Sequence, residues 1–399
     1  MTLRISTAGL HAQGLQGLLM RQAQVARSQQ ELVTGNKLFR AADNPSAMAE
    51  SQRLDHALST LDQHGKNAGL LEHRLRSQEQ AFADVGNQLT RARELTVQAN
   101  SPVLSAADRK SIASELRSIR SDILSIGNRD DGAGRRLFAG ARDGVVPFAD
   151  NGASVSYAGD DGRNRIEVAP DLSLDDTDAG SDVFLRVRTG DGIARGIAGA
   201  ANTGSGVLQA SAITDHAAWA GQSLSVQFTA ADTYEVRDAG NNLLASGTYA
   251  ANSTISAGGV QVTLTGAPAA GDRFTVERAP TRDVFATLQN LADALDAPAS
   301  TPAEQARRSN ALGAALGDIA TAQDHMLTLR SSTGTRLASL DSAADARGAG
   351  EVTLSESLSE LRDVDYAEAI SKLTLQVTAM EAAQKTMLRM QSLSLFDKL

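Results

Sequence analysis

Apolar side chains recur every three or four residues near both ends of the chain. This spacing keeps one stripe of a helix turned towards a partner helix. The members of the two stripes, including the glutamines that share the spacing, are Leu15, Leu18, Gln22, Val25, Gln29 and Leu32 at one end and Tyr366, Ile370, Leu373, Val377, Met380, Gln384, Met387 and Gln391 at the other. We therefore predict that the fold is closed by pairing the first residues of the chain with the last.

The residues after the first stripe predict a turn followed by a helical hairpin. A glycine, two asparagines and a proline within 34–45 predict a break in the helix. An apolar period close to 3.5 residues then predicts a long helix over 45–100. Ser105, followed three residues later by Asp108, predicts the capped start of a returning helix whose apolar stripe reaches Ile126.

Helical periodicity returns near residue 281. A short stripe over 284–295 comes first. Thr301 as the N-cap, with a proline after it and Glu304 at the third helical position, predicts the start of the next helix. We interpret Gly348–Gly350 as a hinge before the C-terminal helix.

Between the helical halves the apolar period changes from helical to two, which predicts an antiparallel β region. Clusters of Gly, Asn and Asp separate the short alternating runs and predict turns. Residues 192–212 are rich in Gly, Ala and Ser and could form a linker. The alternating runs are Val155/Tyr157, Ile166/Val168, Val183/Leu185/Val187, Leu224/Val226/Phe228, Tyr234/Val236, Val260/Val262/Leu264 and Phe274/Val276.

These patterns predict an α+β fold: an elongated rod of N- and C-terminal α-helical coiled-coil or bundle segments with an inserted antiparallel β region. Aromatic residues make up only 4% of the chain, which fits thin helix bundles filled by Leu, Ile, Val and Ala. We predict three domains. Residues 1–45 with 350–399 form a terminal coiled-coil domain, which is disordered in the monomer and axial in an assembly. Residues 46–140 with 281–349 form a helical bundle rod domain, and 141–280 form an outward-facing β-rich insertion in which 208–278 is a β module. We expect replacement of roughly 150–275 by a short linker to leave the rod intact.

Composition excludes several classes of function. The net charge is -9, and 141–280 holds 17 acidic residues against 9 arginines and no lysine, which we interpret as a solvated outer surface. No basic stripe interleaved with aromatics is present, so we expect no nucleic-acid partner. No run approaches the roughly 20 apolar residues of a membrane span, so we expect no membrane partner. Cysteine is absent, which excludes disulfides and thiolate metal sites.

The sequence indicates no catalytic, cofactor or metal site. Asp171, Asp175, Asp176 and Asp178 crowd one loop, but they lack the later glutamate of an EF-hand, so a solvated acidic turn is favoured over a calcium site. Trp219, the only tryptophan, is interpreted as an anchor of the β module rather than a sugar-stacking residue. We therefore expect no enzyme and no cofactor.

The terminal stripes are the candidate functional site. Two helices offer each other one narrow seam, so the ordering entropy of roughly 1–2 kcal/mol per residue is hard to offset in a monomer. We expect them to need neighbouring subunits to become ordered. The candidate assembly-interface residues are Leu15, Leu18, Val25, Leu32, Tyr366, Ile370, Leu373, Val377, Met380, Met387, Leu395 and Phe396.

Short sequences at both ends resemble the flagellin-like family of bacterial flagellar proteins. Within this family the chain is more similar to hook–filament junction proteins than to flagellin, because of Pro45, the Gly-Arg-Arg-Leu-Phe-Ala-Gly turn that ends at Gly140 and the final Ser-Leu-Phe-Asp-Lys-Leu. Residues 208–278 resemble β modules inserted in several flagellar axial proteins. The matching sequences are Thr34-Gly35, Ala42-Asp-Asn-Pro45, Ala92-Arg-Glu-Leu-Thr-Val-Gln-Ala-Asn100, Asp131-Gly-Ala-Gly-Arg-Arg-Leu-Phe-Ala-Gly140 and the close from Asp363 to Phe396.

The resemblance implies a structural subunit of the flagellum. Copies would form a ring between the first hook–filament junction protein and flagellin. The chain would reach the extracellular flagellum by the flagellar type III pathway without a cleaved signal peptide, and a cytoplasmic flagellar export chaperone would bind its C-terminal part. Two alternatives stay open at this stage. One is a flagellin filament subunit, and the other is a secreted enzyme or adhesin carried on coiled-coil arms.

Overall fold

A computed structural model describes residues 7–42, 44–152 and 154–396. The chain divides into two compact units, a terminal unit of residues 1–65 with 344–399 and a central unit of residues 66–343. The three-part domain division drawn from the sequence stays a prediction. The helices are α1 Thr7–Thr34, α2 Pro45–Ala99, α3 Ala106–Gly127, α4 His216–Trp219, α5 Val284–Asp296, α6 Pro302–Arg362 and α7 Tyr366–Phe396.

All strands lie between α3 and α5, so the fold is α+β with helices at both ends of the chain and an antiparallel β region in the middle. The strands are β1 Phe148–Asp150, β2 Val155–Tyr157, β3 Arg165–Ala169, β4 Leu172–Asp175, β5 Val187–Arg188, β6 Ala194–Ala198, β7 Val207–Ile213, β8 Leu224–Ala230, β9 Thr233–Arg237, β10 Leu243–Thr248, β11 Thr254–Ala257, β12 Val260–Thr265, β13 Arg273–Arg278 and β14 Thr281–Arg282.

Two helix starts follow the predicted capping pattern. The Asp108 carboxylate accepts a hydrogen bond from the Ser105 N–H at 3.0 Å, and the Ser105 hydroxyl accepts one from the Asp108 N–H at 3.2 Å. At the start of α6, Glu304 accepts from the Thr301 N–H at 2.9 Å, and the Thr301 hydroxyl accepts from the Glu304 N–H at 3.2 Å. These reciprocal bonds satisfy backbone donors that a helix leaves unpaired, so both predictions are confirmed.

The helices of the central unit pack around a cluster of aromatic rings. Phe82 of α2 lies beside Phe138, whose ring meets Phe184 edge-on at 5.3 Å. Phe148 of β1 contacts Phe285 of α5 at 5.6 Å between ring centres. Edge-on contacts of this kind add to the burial of the rings themselves. Residues 148–187 thus supply core to the helices as well as forming strands.

Residues 194–278 form a sandwich with a core of its own. A five-stranded sheet in the order β10-β9-β8-β13-β6 faces a three-stranded sheet in the order β11-β12-β7. Apolar side chains from both sheets fill the space between them. Trp219 belongs to this core at 5% exposure, and its Nε1 donates to the Gln222 carbonyl at 2.7 Å. The interpretation of Trp219 as an anchor of the module is confirmed.

The predicted linker over 192–212 is wrong, because β6 and the first part of β7 occupy it. The small residues that suggested flexibility are needed for close packing between the two sheets. A Cβ added to Gly196 would lie 2.6 Å from Leu208 Cδ2 and 2.8 Å from Ser211 Oγ. Small residues here permit contact rather than motion.

Two further element predictions are wrong. Residues Ser181–Leu185 form a π-helical turn instead of a strand, because the neighbouring Val183 and Phe184 both point into the helical core. The predicted hinge at Gly348–Gly350 is absent, since α6 runs through it as one helix of 61 residues.

The acidic loop is not a solvated turn, because Asp176 and Asp178 are buried. Arg74 of α2, fully buried, donates from Nε to both carboxylate oxygens of Asp176 at 2.9 Å and from a terminal nitrogen to Asp131 at 2.8 Å. Arg336 of α6 donates to Asp178 at 2.5 Å. Guanidinium groups thus take the place that a calcium ion or water would hold, and the sequence interpretation is corrected on this point.

Candidate assembly interface

The terminal unit joins the two ends of the chain through a short backbone pairing. Gly35 ends α1 with φ of 69°, a conformation that a residue with a Cβ rarely adopts. Its carbonyl accepts the Val364 N–H at 2.9 Å, and Asn36 forms an antiparallel bridge with Asp363. The end of α1 therefore lies beside the start of α7.

The same turn leads into α2. The side-chain oxygen of Asn44 accepts the Ala47 N–H at 3.1 Å and so caps the helix that begins with Pro45. Asp43 of the same motif lies outside the described residues. On the other chain end, Asp365 caps α7 by accepting the Ala367 N–H at 2.9 Å.

Helices α1 and α7 pack against each other as an antiparallel pair. Val25 and Ser28 of α1 and Ala369 of α7 are buried. The Ser28 hydroxyl donates to the Gln376 side-chain oxygen at 2.9 Å, and together with the bridge at Asn36 this contact fixes the antiparallel direction. The pairing of the chain ends that the sequence predicts is present.

Seven predicted interface residues lie on this seam. Val25 is buried, and the other six are partly buried, namely Leu18, Leu32, Leu373, Val377, Met380 and Met387. Gln29 and Gln384 are exposed, although the predicted stripe includes them. The smaller or polar residues Ser28, Gln376 and Ala383 take their places in the seam. The seam positions of α7 could have been found from their spacing by four and three. This spacing was missed because the residues at alternate positions are small or polar. The positions are 369, 373, 376, 380, 383 and 387.

Three predicted interface residues are at least half exposed, although the Tyr366 hydroxyl lies close to Gly35. Leu15, Tyr366 and Ile370 are 50%, 55% and 55% exposed. Five other large apolar side chains on these two helices are also at least half exposed, and sequence reasoning missed them because they lie off the seven-residue stripe. We call all eight the outer apolar side chains: Leu15, Leu19, Met20, Val33, Tyr366, Ile370, Leu375 and Leu388.

The side chains of the remaining two predicted interface residues, Leu395 and Phe396, lie outside the described residues. The contact of these twelve residues with neighbouring subunits stays a prediction.

Charge adds little to this part of the terminal unit. Arg27 pairs with Glu31 at 3.1 Å within α1, and Arg362 pairs with Asp55 of α2 at 3.3 Å. Arg27, Arg362 and Asp55 are at least 40% exposed, and pairs of this kind are worth at most about 1 kcal/mol. These ion pairs therefore contribute little to holding the terminal unit together.

No group of three or more His, Asp or Glu side chains in residues 7–42, 44–152 and 154–396 could hold a metal ion. No helix in those ranges is both long and apolar enough to cross a membrane.

Comparison with known proteins places both ends of the chain in one family. The family model of the bacterial flagellin N-terminal helical region matches residues 5–143, and that of the bacterial flagellin C-terminal helical region matches residues 316–398. Flagellar hook-associated protein 3 of Escherichia coli (strain K12) is 22% identical over 399 residues, covering 99% of each chain.

Solved structures extend this similarity. The crystal structure of Xanthomonas campestris FlgL is 44% identical, with a TM-score of 0.72, and the match covers 77% of this chain and 99% of that one. Flagellar hook-associated protein 3 from Legionella pneumophila, at 24% identity, shares the fold with a TM-score of 0.74 over 78% of this chain and 98% of that one.

Proposed function

We propose that this chain, which belongs to the flagellar hook-associated protein 3 (FlgL) family and is a structural subunit of the junction between flagellar hook and filament, assembles through its paired terminal helices. The family consists of structural components of the flagellum that associate with its hook and filament.

The outer apolar side chains are the observation that carries the proposal. Large apolar side chains that stay exposed in a monomer can mark surfaces that a partner covers. Leu375 is 74% exposed and Leu388 65% exposed on α7, and Val33 is 85% exposed at the end of α1. We propose that neighbouring subunits cover these side chains in the assembled flagellum, while the seam residues hold α1 to α7.

The proposed neighbours are further copies in a ring, the first hook–filament junction protein on one side and flagellin on the other. A ring that joins two different structures needs two unlike axial faces, whereas a filament subunit repeats one contact without end. We therefore expect the purified chain alone to form no long filaments. Electron microscopy of concentrated protein checks this, and long homopolymers would contradict it.

The same exposed side chains also suit binding to an export chaperone in the cytoplasm. An amphipathic helix with exposed leucines fits an apolar groove of another protein. We propose that the export chaperone covers the exposed leucines of α7 before the chain travels to the extracellular flagellum.

In the free chain, the terminal pair has a narrow seam, so we expect amide hydrogens in α1 and α7 to exchange faster than those in α3.

A substitution at Leu375 tests the interface. Leu375→Asp places a charge on a side chain that is already exposed in the monomer, so the monomer should keep its helix content. In the assembly the charge would be buried without a partner, which is costly. We expect cells with this variant to lose filaments and release flagellin into the medium. Counting attached filaments by electron microscopy measures the loss.

Two companion variants make the result specific. Leu375→Met keeps volume and polarity and should retain filaments. Val377→Asp puts the charge into the seam, so it should also weaken the pairing of α1 with α7 in the monomer. Normal filament attachment with Leu375→Asp would show that α7 does not use this surface.

A further inference from the structure

The five-stranded sheet of the sandwich has two unpaired edges on opposite sides. Strand β10 is the last strand on one side, and β6 is the last strand on the other. An unpaired edge presents a row of backbone N–H and C=O groups that another strand can join. Proteins usually protect such edges with a charge, a proline, a bulge or a covering element.

The β10 edge has little of this protection. The Tyr249 N–H donates to the Asp232 carbonyl at 2.7 Å, and the register from there places the backbone groups of Ser246 and Thr248 on the open side. The strand reads Leu-Leu-Ala-Ser-Gly-Thr, without charge or proline. Leu243 and Leu244, beside a bulge at its start, are 53% and 45% exposed. This edge is suited to pairing with another strand.

The β6 edge opens into a cleft. The Gly199 N–H donates to Arg273 and the Ala279 N–H to Ile193, so the backbone groups of Gly196 and Ala198 point away from β13. These residues line a cleft of about 510 Å³ between β6, β7 and one face of α6. That volume is within the range of about 300–1,000 Å³ in which proteins bind ligands.

The cleft already contains one strand-like contact. Asn310 of α6 accepts the Leu208 N–H at 2.7 Å and donates to the Gly206 carbonyl at 3.1 Å. Its amide thus makes the donor and acceptor pair that a neighbouring strand would make along β7. Most other lining residues are glycine or alanine, which lets a further backbone approach closely.

We propose that β10 of one copy adds to the β6 edge of the next copy within this cleft. A second copy is the occupant that satisfies both unpaired edges with one repeated contact, and a head-to-tail contact of this type closes into a ring when its rotation permits. Charge does not decide the direction, because Asp191 lines the cleft together with Arg307, and Arg237 lies opposite Leu243 at the start of β10.

This inference rests on the proposed ring of copies and deepens it by naming a second contact, separate from the terminal helices. Backbone pairing would supply the affinity, and the leucines of β10 against the small residues of the cleft would supply specificity.

Disulfide trapping tests the pairing, and the absence of native cysteine makes the test clean. Ser246→Cys and Ile197→Cys place one thiol on each edge strand. Flagella from cells with the double variant would be isolated, oxidised mildly and run on a non-reducing gel. We expect a ladder of linked copies from the double variant, and unlinked chains from each single variant.

The controls separate this contact from other encounters. Val103→Cys with Ser246→Cys pairs an edge thiol with a position that is 90% exposed elsewhere, and it should give no ladder. Thr248→Cys with Ile197→Cys moves the thiol two residues along β10, so it should link much less than Ser246→Cys with Ile197→Cys.

Equal linking in the double variant and the Val103 control would overturn the inference. Linking of Ser246→Cys with itself would also overturn it, because two β10 edges would then meet each other. The same cells test the proposed function separately, since that function requires only that filaments stay attached.

Discussion

Arg74 is a fully buried cation whose partners, Asp131 and Asp176, are also buried. Burial lowers its pKa, but the bonds to the two carboxylates outweigh this, so its pKa lies above the usual value. For Asp131, burial raises the pKa, and the bonds from Arg74 and from two backbone N–H groups outweigh that effect and lower it. Arg74 and Asp131 thus favour each other's charged form.

We therefore expect Arg74→Met to destabilise the central unit by about 3–5 kcal/mol, because it leaves two carboxylates buried without their cation. Urea unfolding followed by circular dichroism measures the change. Arg76→Met on the same helix is the matched control. Arg76 is 67% exposed and pairs with Glu72 at 2.7 Å, so its loss should cost at most about 1 kcal/mol. Equal losses for both variants would rule out a special role for Arg74.

Glu304 gives a pH dependence with a defined window. Backbone and hydroxyl donors of Thr301 and Ser300 lower its pKa from 4.5 to about 2. A carboxyl with a depressed pKa stabilises the fold fully above its unfolded value and loses that contribution as the pH falls through the folded value. We expect the melting temperature of the protein to fall relative to Glu304→Gln between about pH 4.5 and pH 2. A constant difference across this range would contradict the expectation.

The sequence predicted contacts between residues that are close along the chain but not contacts between residues that are far apart along it. The capping pairs at Ser105 and Thr301 were predictable because both partners lie within three residues. Arg74 and Asp176 are 102 residues apart, and no pattern in either neighbourhood indicates the pairing. The acidic loop was consequently mistaken for a solvated surface.

At the scale of elements, the long helices were the most predictable feature, because an apolar period repeated over many turns outweighs single exceptions. Gly348 and Gly350 suggested a break, but neighbouring turns of α6 carry the helix through them. Gly350 also faces Leu61 of α2, where an added Cβ would make an ordinary contact at 3.6 Å.

Gly348 gives a test of that continuity. A Cβ added there meets no atom within 4 Å, and the backbone is helical. We expect Gly348→Ala to stabilise the terminal unit by roughly 0.5–1 kcal/mol, because glycine costs about that much in a helix interior. Hydrogen exchange over residues 344–362 measures the effect. Gly140→Ala should do the opposite, since Gly140 has φ of 71° and an added Cβ would lie 2.2 Å from the Asp160 carbonyl oxygen.

The edge strands were the least predictable elements. Strands β6, β7 and β10 contain many Gly, Ala and Ser residues, so they lack the alternation of large apolar and polar residues that revealed β8 and β13. The seam between α1 and α7 was displaced for the same reason. Both errors arise because small residues at close contacts leave little signal in a sequence.

At the scale of the molecule, the chain enters and leaves the sandwich beside one pair of short strands. Strand β5 pairs with β14, and the Thr189 N–H donates to the Pro280 carbonyl at 3.0 Å. Asp318 of α6 anchors the sandwich by accepting from Arg195 at 2.8 Å. The sandwich can therefore be cut out at neighbouring backbone positions.

We expect replacement of 190–279 by a short Gly/Ser linker to leave α2, α3, α5 and α6 folded, because Asp318 loses Arg195 but keeps Arg282 at 3.4 Å. Circular dichroism and filament counts measure the outcome. The deletion over 150–275 that the sequence suggested should instead unfold the central unit, because it removes Val183 and Phe184 from the helical core. If filaments persist after deletion of 190–279, the contact between β10 and the β6 edge only reinforces the ring and is not required for it.

The antiparallel pairing of α1 with α7 has a mechanical consequence. The backbone bridge between Asn36 and Asp363 closes one end of the pair, and the first turn of α1 and the last turn of α7 lie towards the other. A pulling force at the N-terminus would therefore open the seam one helical turn at a time, like a zipper, and would not have to shear all its contacts at once. Such a pair can be peeled apart by a weak force and closes again, turn by turn, from the bridge outward.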